Sequence, residues 1–104
     1  MASPSRGSAN RSGIERQLVD LSERLKQLRS ELSVADEQLA ALAEEAEDAR
    51  LRALVSETPL AEKEHRDAEK HAAAMKRHHD EVAEAIAGLE RSQDELLDRL
   101  TAAG

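Results

Sequence analysis

The apolar positions between residues 14 and 53 follow one regular pattern. They are separated alternately by four and three residues, and none of them is polar: Ile14, Leu18, Leu21, Leu25, Leu28, Leu32, Ala35, Leu39, Leu42, Ala46, Ala49 and Ala53. This spacing keeps returning to the same side of an α-helix and is typical of a coiled coil. The sequence therefore predicts a long helix with a narrow apolar stripe, which we call the first seam.

A second series with the same spacing begins in a new phase after the first one ends. We call it the second seam, and it consists of Ala61, His65, Ala68, Ala72, Met75, His79, Val82, Ile86, Leu89, Gln93, Leu96, Leu100 and Ala103. Three of its positions are polar. The change of phase indicates a separate second helix.

The segment between the two seams contains residues that separate helices. Pro59 suits the first position of a helix, where its missing N–H removes no hydrogen bond, and Thr58 suits the cap before it. We therefore predict an all-α fold, a two-helix antiparallel coiled-coil hairpin over residues 13–103. Helix 1 covers 13–55, the turn 56–58 and helix 2 59–102. The Ser/Gly/Arg-rich residues 1–12 are expected to be a disordered tail, with Ser12 as the first cap.

The two seams fit each other when the chain folds back at this turn. If Ala53 faces Ala61, a residue a given number of positions before Ala53 faces the residue the same number of positions after Ala61. Each residue of the first seam then faces a residue of the second seam, as far as Ile14 and Leu100. Three flanking pairs then have opposite charges: Arg50 with Glu62, Asp36 with Lys76, and Arg52 with Glu64. A parallel dimer of helix 1 would instead place like charges together, so the charges also favour the hairpin.

Composition narrows the possible functions. The chain of 104 residues is 36% charged, has a net charge of −7, and contains no Phe, Trp, Tyr or Cys. Nucleic-acid binding relies on basic patches and stacking rings, so this composition argues against it. The sequence has neither an apolar run long enough for a membrane span nor an apolar signal segment in residues 1–12. A cytoplasmic location is expected.

No pattern of catalytic residues or glycine-rich phosphate loop occurs, so we expect neither an enzyme nor a cofactor. The four histidines cluster at His65, His71, His78 and His79, and with Met75 they could form a soft-ligand metal site. Packing against the first helix explains the same positions, and no metal site is predicted. Desolvation of His65 and His79 in the seam would lower the pKa of each, so that stability is lost as the pH falls.

Several apolar residues near the turn lie outside the seams. Leu51, Leu54, Val55 and Leu60 surround Glu57, and together these five residues form the candidate partner-binding tip. Leu54 and Leu60 could cover each other in a hydrophobic staple across the turn. Leu51 and Val55 would then remain exposed.

Further apolar residues outside the seams could form the contact of a homodimer. They are Val19, Val34, Ala40, Ala41 and Ala43 on helix 1, and Ala73, Ala74, Ala83, Ala87 and Leu97 on helix 2. Isolated alanines on an exposed face are also simply good helix formers, which is the alternative.

These features favour a non-enzymatic interaction or scaffold protein that docks on a larger protein complex. The alternative is a regulatory factor that inserts its tip into a molecular machine. Glu57 in the turn and Glu62 in the next helix are loosely similar to the acidic tip of bacterial factors that enter the RNA polymerase secondary channel, but the globular domain of such factors has no counterpart here. Small secreted hairpins have a Trp-x-Gly turn, whereas this turn is Ser-Glu-Thr-Pro.

Overall fold

The protein is an all-α helical hairpin. The computed structural model describes residues 6–103, with α1 at Arg6–Ser56 and α2 at Pro59–Ala103. The two helices pack against each other, and no strand occurs in the described range. The predicted all-α helical hairpin is confirmed.

Helix α1 begins seven residues earlier than predicted. Residues 6–12 of the predicted tail belong to α1, and Ser12 lies inside the helix instead of capping it. Extending a formed helix costs little per residue, and this segment contains no proline to stop it. The rest of the predicted tail, residues 1–5, lies outside the described residues. At the other boundaries, α1 ends at Ser56 and α2 at Ala103, each one residue later than predicted.

The turn consists of Glu57 and Thr58. Glu57 adopts a left-handed backbone conformation with φ of 50°, and its N–H donates to the carbonyl of Ala53 at 3.0 Å. This is a common way to end a helix, although glycine usually occupies the left-handed position. The Thr58 hydroxyl accepts a hydrogen bond from the N–H of Ala61 at 3.1 Å, so the predicted cap is confirmed.

Burial follows the two seams closely. Every seam residue from Ile14 to Leu100 is buried or half-buried, and nearly all other side chains are exposed. The predicted choice of inward positions is therefore confirmed. The polar seam residues His65, His79 and Gln93 are only half-buried, which keeps one edge of each in contact with water.

Contacts within the hairpin divide into two units. The first joins the part of α1 up to Arg29 to the part of α2 from Glu84. Large aliphatic side chains form its buried core: Ile14, Leu25, Leu28, Ile86 and Leu96. Full burial of such a side chain contributes about 1.5–3 kcal/mol.

The second unit is Ser30–Ala83 and contains the turn. Its fully buried residues are smaller, namely Ala35, Ala49, Ala61 and Val82. Alanines beside a two-residue turn allow the helix backbones to approach closely.

The predicted flanking ion pairs are not those that form. Arg50 binds Glu47 in its own helix at 2.6 Å, Lys76 binds Asp80 at 3.0 Å, and Asp36 contacts His79 at 2.6 Å. Between the helices of the first unit, Arg29 approaches Glu90 at 3.6 Å. A residue one helical turn away on the same helix is favoured as an ion-pair partner over a residue on the other helix, because the helix already holds both side chains close together.

Shortening a buried aliphatic side chain should destabilise the hairpin. Leu25 is 1% exposed, so we expect Leu25→Ala to lower the free energy of unfolding by about 2–4 kcal/mol through lost burial and a residual cavity. Urea denaturation would measure this. The neighbouring exposed Lys26→Ala is the matched control, with an expected change within about 0.5 kcal/mol. Equal effects of the two substitutions would contradict the described core.

Relieving the left-handed residue should stabilise the hairpin. A residue with a β-carbon loses about 1–2 kcal/mol of stability in the left-handed conformation, and glycine avoids this loss. Glycine also makes the unfolded chain more flexible, which cancels part of the benefit. We therefore expect Glu57→Gly to raise the free energy of unfolding by about 0.5–1 kcal/mol. Glu57→Ala keeps the β-carbon and should bring no such gain. A Glu57→Gly chain less stable than Glu57→Ala would argue against the left-handed turn.

Candidate functional site

Exposed apolar surface is concentrated at the turn end of the hairpin. Among the described residues, seven large hydrophobic side chains are exposed, and four of them lie between positions 51 and 60. Their exposed fractions are 48% for Leu51, 61% for Leu54, 85% for Val55 and 66% for Leu60. We call these four residues the tip patch. A group of exposed large apolar side chains commonly marks an interaction site.

The predicted hydrophobic staple between Leu54 and Leu60 does not form. Both side chains are more than half exposed, so neither covers the other. A staple joins the residue before the helix cap to the fourth residue of the helix, and these positions here are Glu57 and Glu62. Because both are charged, nothing in the turn buries the leucines. Leu54 and Leu60 are therefore exposed together with Leu51 and Val55.

Glu57 lies at the apex of the turn between the two parts of the tip patch. Its side chain is exposed, and its backbone is in the conformation that glycine adopts most easily. The turn geometry therefore does not account for a glutamate at this position. Its carboxylate is available for a hydrogen bond or ion pair beside the apolar residues. Glu62, in the first turn of α2, is also exposed.

Acidic side chains continue from the tip patch along the outward face of α1. Glu44, Glu47 and Asp48 are all exposed there. Arg50 donates two hydrogen bonds to Glu47, at 2.6 and 2.9 Å, and these bonds hold the pKa of Glu47 below its ordinary value. One of the three acids is thus neutralised within the helix.

His79 links the two helices of the second unit. Its Nε2 lies 2.6 Å from Asp36 Oδ1 on α1, and its Nδ1 lies 3.1 Å from Asp80 Oδ1 on α2. Ionised carboxylates only accept hydrogen bonds, and a neutral imidazole has a single N–H. Both contacts are satisfied together only by the protonated ring.

The structure reverses the predicted pH response of His79. Hydrogen bonds from the ring to Asp80 and Asp36 raise the pKa of His79 and outweigh desolvation, because 23% of the side chain remains exposed. The same contact, with help from Lys76, lowers the pKa of Asp80. The predicted register places His79 opposite Ala35, and Asp36, the next residue on α1, is the partner that it contacts.

The other histidines do not form a common site. His65 Nε2 donates to Glu69 one turn further along α2 at 2.8 Å, while His71 and His78 are exposed. Within residues 6–103, no three His, Cys, Asp or Glu side chains lie close enough to bind a metal ion. The same range contains no helix that is long and apolar enough to cross a membrane.

The His79 pKa can be measured directly. We expect NMR titration of the His79 ring to give a pKa above the ordinary value of about 6.5, with Asp36→Asn and Asp80→Asn each lowering it. The stability that His79 contributes is then fully present below about pH 6.5 and is lost as the pH rises through the folded pKa. A His79 pKa at or below about 6.5 would contradict the contacts described above.

Comparison of the chain with protein-family models, with curated proteins and with solved structures finds no match. The candidate site is therefore defined by its geometry alone.

Proposed function

We propose that this protein is a non-enzymatic antiparallel coiled-coil hairpin that binds a partner protein through its tip. The observation that carries the proposal is the tip patch, where four large aliphatic side chains remain exposed around a strained, acidic turn. The proposed partner presents an apolar pocket with a hydrogen-bond donor or a basic group at its rim. This proposal makes the hairpin a docking module of a larger protein complex.

The chemistry of the tip is suited to protein binding. Leu54, Val55 and Leu60 are more than half exposed, and covering a large aliphatic side chain contributes about 1.5–3 kcal/mol. A few anchors of this kind, inserted in pockets, provide most of the energy in many interfaces. The carboxylate of Glu57 would orient the tip, since charged groups at a rim favour one arrangement over others.

A second candidate is a regulatory factor that inserts its tip into a molecular machine such as RNA polymerase. The exposed carboxylate of Glu57 at the apex supports this reading, because it is the part of the turn that would reach furthest into a channel. The two candidates differ in what the acid does. In a docking module the apolar residues dominate binding, whereas in an inserted factor the negative charge at the apex is essential for the effect.

Two double variants test whether the partner binds the tip or the sides of the hairpin. We expect the variant Leu54→Ser/Leu60→Ser to reduce partner capture at least about tenfold, because two anchors are lost. The matched control, Val19→Glu/Leu97→Glu, changes two exposed aliphatic residues away from the turn and should bind normally. Affinity purification from the native host with mass spectrometry identifies the partner. Titration of the purified partner against each variant then measures direct binding, and circular dichroism checks helix content.

The opposite ranking of the two variants would overturn the tip proposal and favour a scaffold that binds through its sides. Glu57→Gln separates the two candidate functions, since it removes the charge at nearly constant size. Binding and an effect on the partner that both survive Glu57→Gln support the docking module. Intact binding with loss of the effect on the partner's activity supports the inserted factor.

A further inference from the structure

Between positions 37 and 48 on α1 and positions 66 and 77 on α2, most charged residues on the outward faces of the two helices have opposite signs. On α1 the face opposite the seam presents Glu37, Glu44 and Asp48, which we call the acidic edge. The corresponding face of α2 presents Arg66, Lys70 and Arg77, the basic edge. All six side chains are exposed. None of them takes part in an ion pair within the described part of the chain.

The two edges match in height along the hairpin. Counted from Glu57, Glu37 on α1 and Arg77 on α2 are the same number of residues away, and the same holds for Glu44 with Lys70 and for Asp48 with Arg66. The contact between Asp36 and His79 holds this register in the second unit. Because both helices rise by about 1.5 Å per residue, charges at equal distances from the turn lie at equal heights.

Small residues separate the charges on both edges. Ala40 and Ala41 lie between Glu37 and Glu44, and Ala73 and Ala74 lie between Lys70 and Arg77, again at matching heights. All four alanines are exposed. Without long side chains at this level, two helices could approach to the usual packing distance of about 8–10 Å.

We propose that these edges bind a second copy of this chain, with the acidic edge of one hairpin beside the basic edge of its neighbour. With both turns at the same end, each acid of the first copy lies opposite a base of the second, and the alanines meet between them. Pairing of two acidic or two basic edges would bring like charges together and is disfavoured. The second copy is therefore the occupant for which the charges are complementary.

The remaining charges at these heights do not oppose the arrangement. Glu47 and Asp67 would face each other, but each already has a cation in its own helix. Arg50 binds Glu47 at 2.6 Å, and Lys63 binds Asp67 at 3.6 Å. The three pairs of opposite charge therefore set the sign of the interaction.

This association would also bring neighbouring tips together. Leu54 of one copy lies at the height of Leu60 of the next, so their tip patches would form one larger apolar surface. Since each hairpin has one acidic and one basic edge, the contact is heterologous and allows rows of copies. The inference rests on the edges and not on the proposed function, and a hairpin that binds no partner would still self-associate.

Charge reversal tests the proposal with the full chain. One variant reverses the acidic edge (Glu37→Lys, Glu44→Lys, Asp48→Lys), and the other reverses the basic edge (Arg66→Glu, Lys70→Glu, Arg77→Glu). Sedimentation velocity should show that the wild type associates and that added salt weakens the association. Each variant alone should associate at least about tenfold more weakly, and an equimolar mixture of the two should associate again.

Restored association in the mixture would show that the weaker association of each variant alone is not caused by a loss of folding, because it requires two folded, complementary chains. A wild-type chain that stays monomeric up to about 1 mM would overturn the proposal. Reversed variants that associate like the wild type would also overturn it, since the edges would then not be the contact.

Cross-linking identifies which edges meet. The chain contains no cysteine, so single cysteines can be introduced without interference. Ala41→Cys in one chain and Ala74→Cys in another, joined by a short bismaleimide, should give mainly the mixed product. Equal or larger amounts of the Ala41→Cys homodimer would show that like edges meet and would contradict the arrangement.

Discussion

Packing of the first seam on α1 against the second seam on α2 is the constraint on which the rest of this structure depends. Neither α1 nor α2 has a second apolar face of comparable length, and the chain has no aromatic side chains to fill a broader core. Folding back at Glu57 and Thr58 brings the stripes together. Isolated helices gain little stability in water, so contact between the stripes provides most of it.

The residues outside the two seams are informative because the seams are narrow. On a thin hairpin almost every side chain outside the seam is exposed, so exposed charges and alanines are expected, whereas a group of large aliphatic residues is not. The tip patch, and the acidic and basic edges of the second unit, stand out against that background. They are the surfaces from which binding and self-association are proposed.

His79 shows how a polar residue can be accommodated in a narrow interface. In a deep core an imidazole would lose its charge, but here part of the ring remains in water and two carboxylates lie against its nitrogens. The histidine thus becomes a polar link between α1 and α2 in a unit whose buried residues are mainly alanines. Its contribution depends on pH in the direction opposite to that of a desolvated histidine.

The sequence by itself determined the two helices, the position of the turn and the identity of the buried residues. These features follow from local periodicity, from the proline and from the threonine cap, all of which act over a few neighbouring positions. It also located the apolar residues of the tip. Only the tertiary structure decided which side chains pair: Arg50 with Glu47 instead of Glu62, and His79 with Asp36. It also decided that Leu54 and Leu60 remain exposed. Such outcomes depend on competition between partners within hydrogen-bonding reach in three dimensions, and spacing along a helix does not rank those partners.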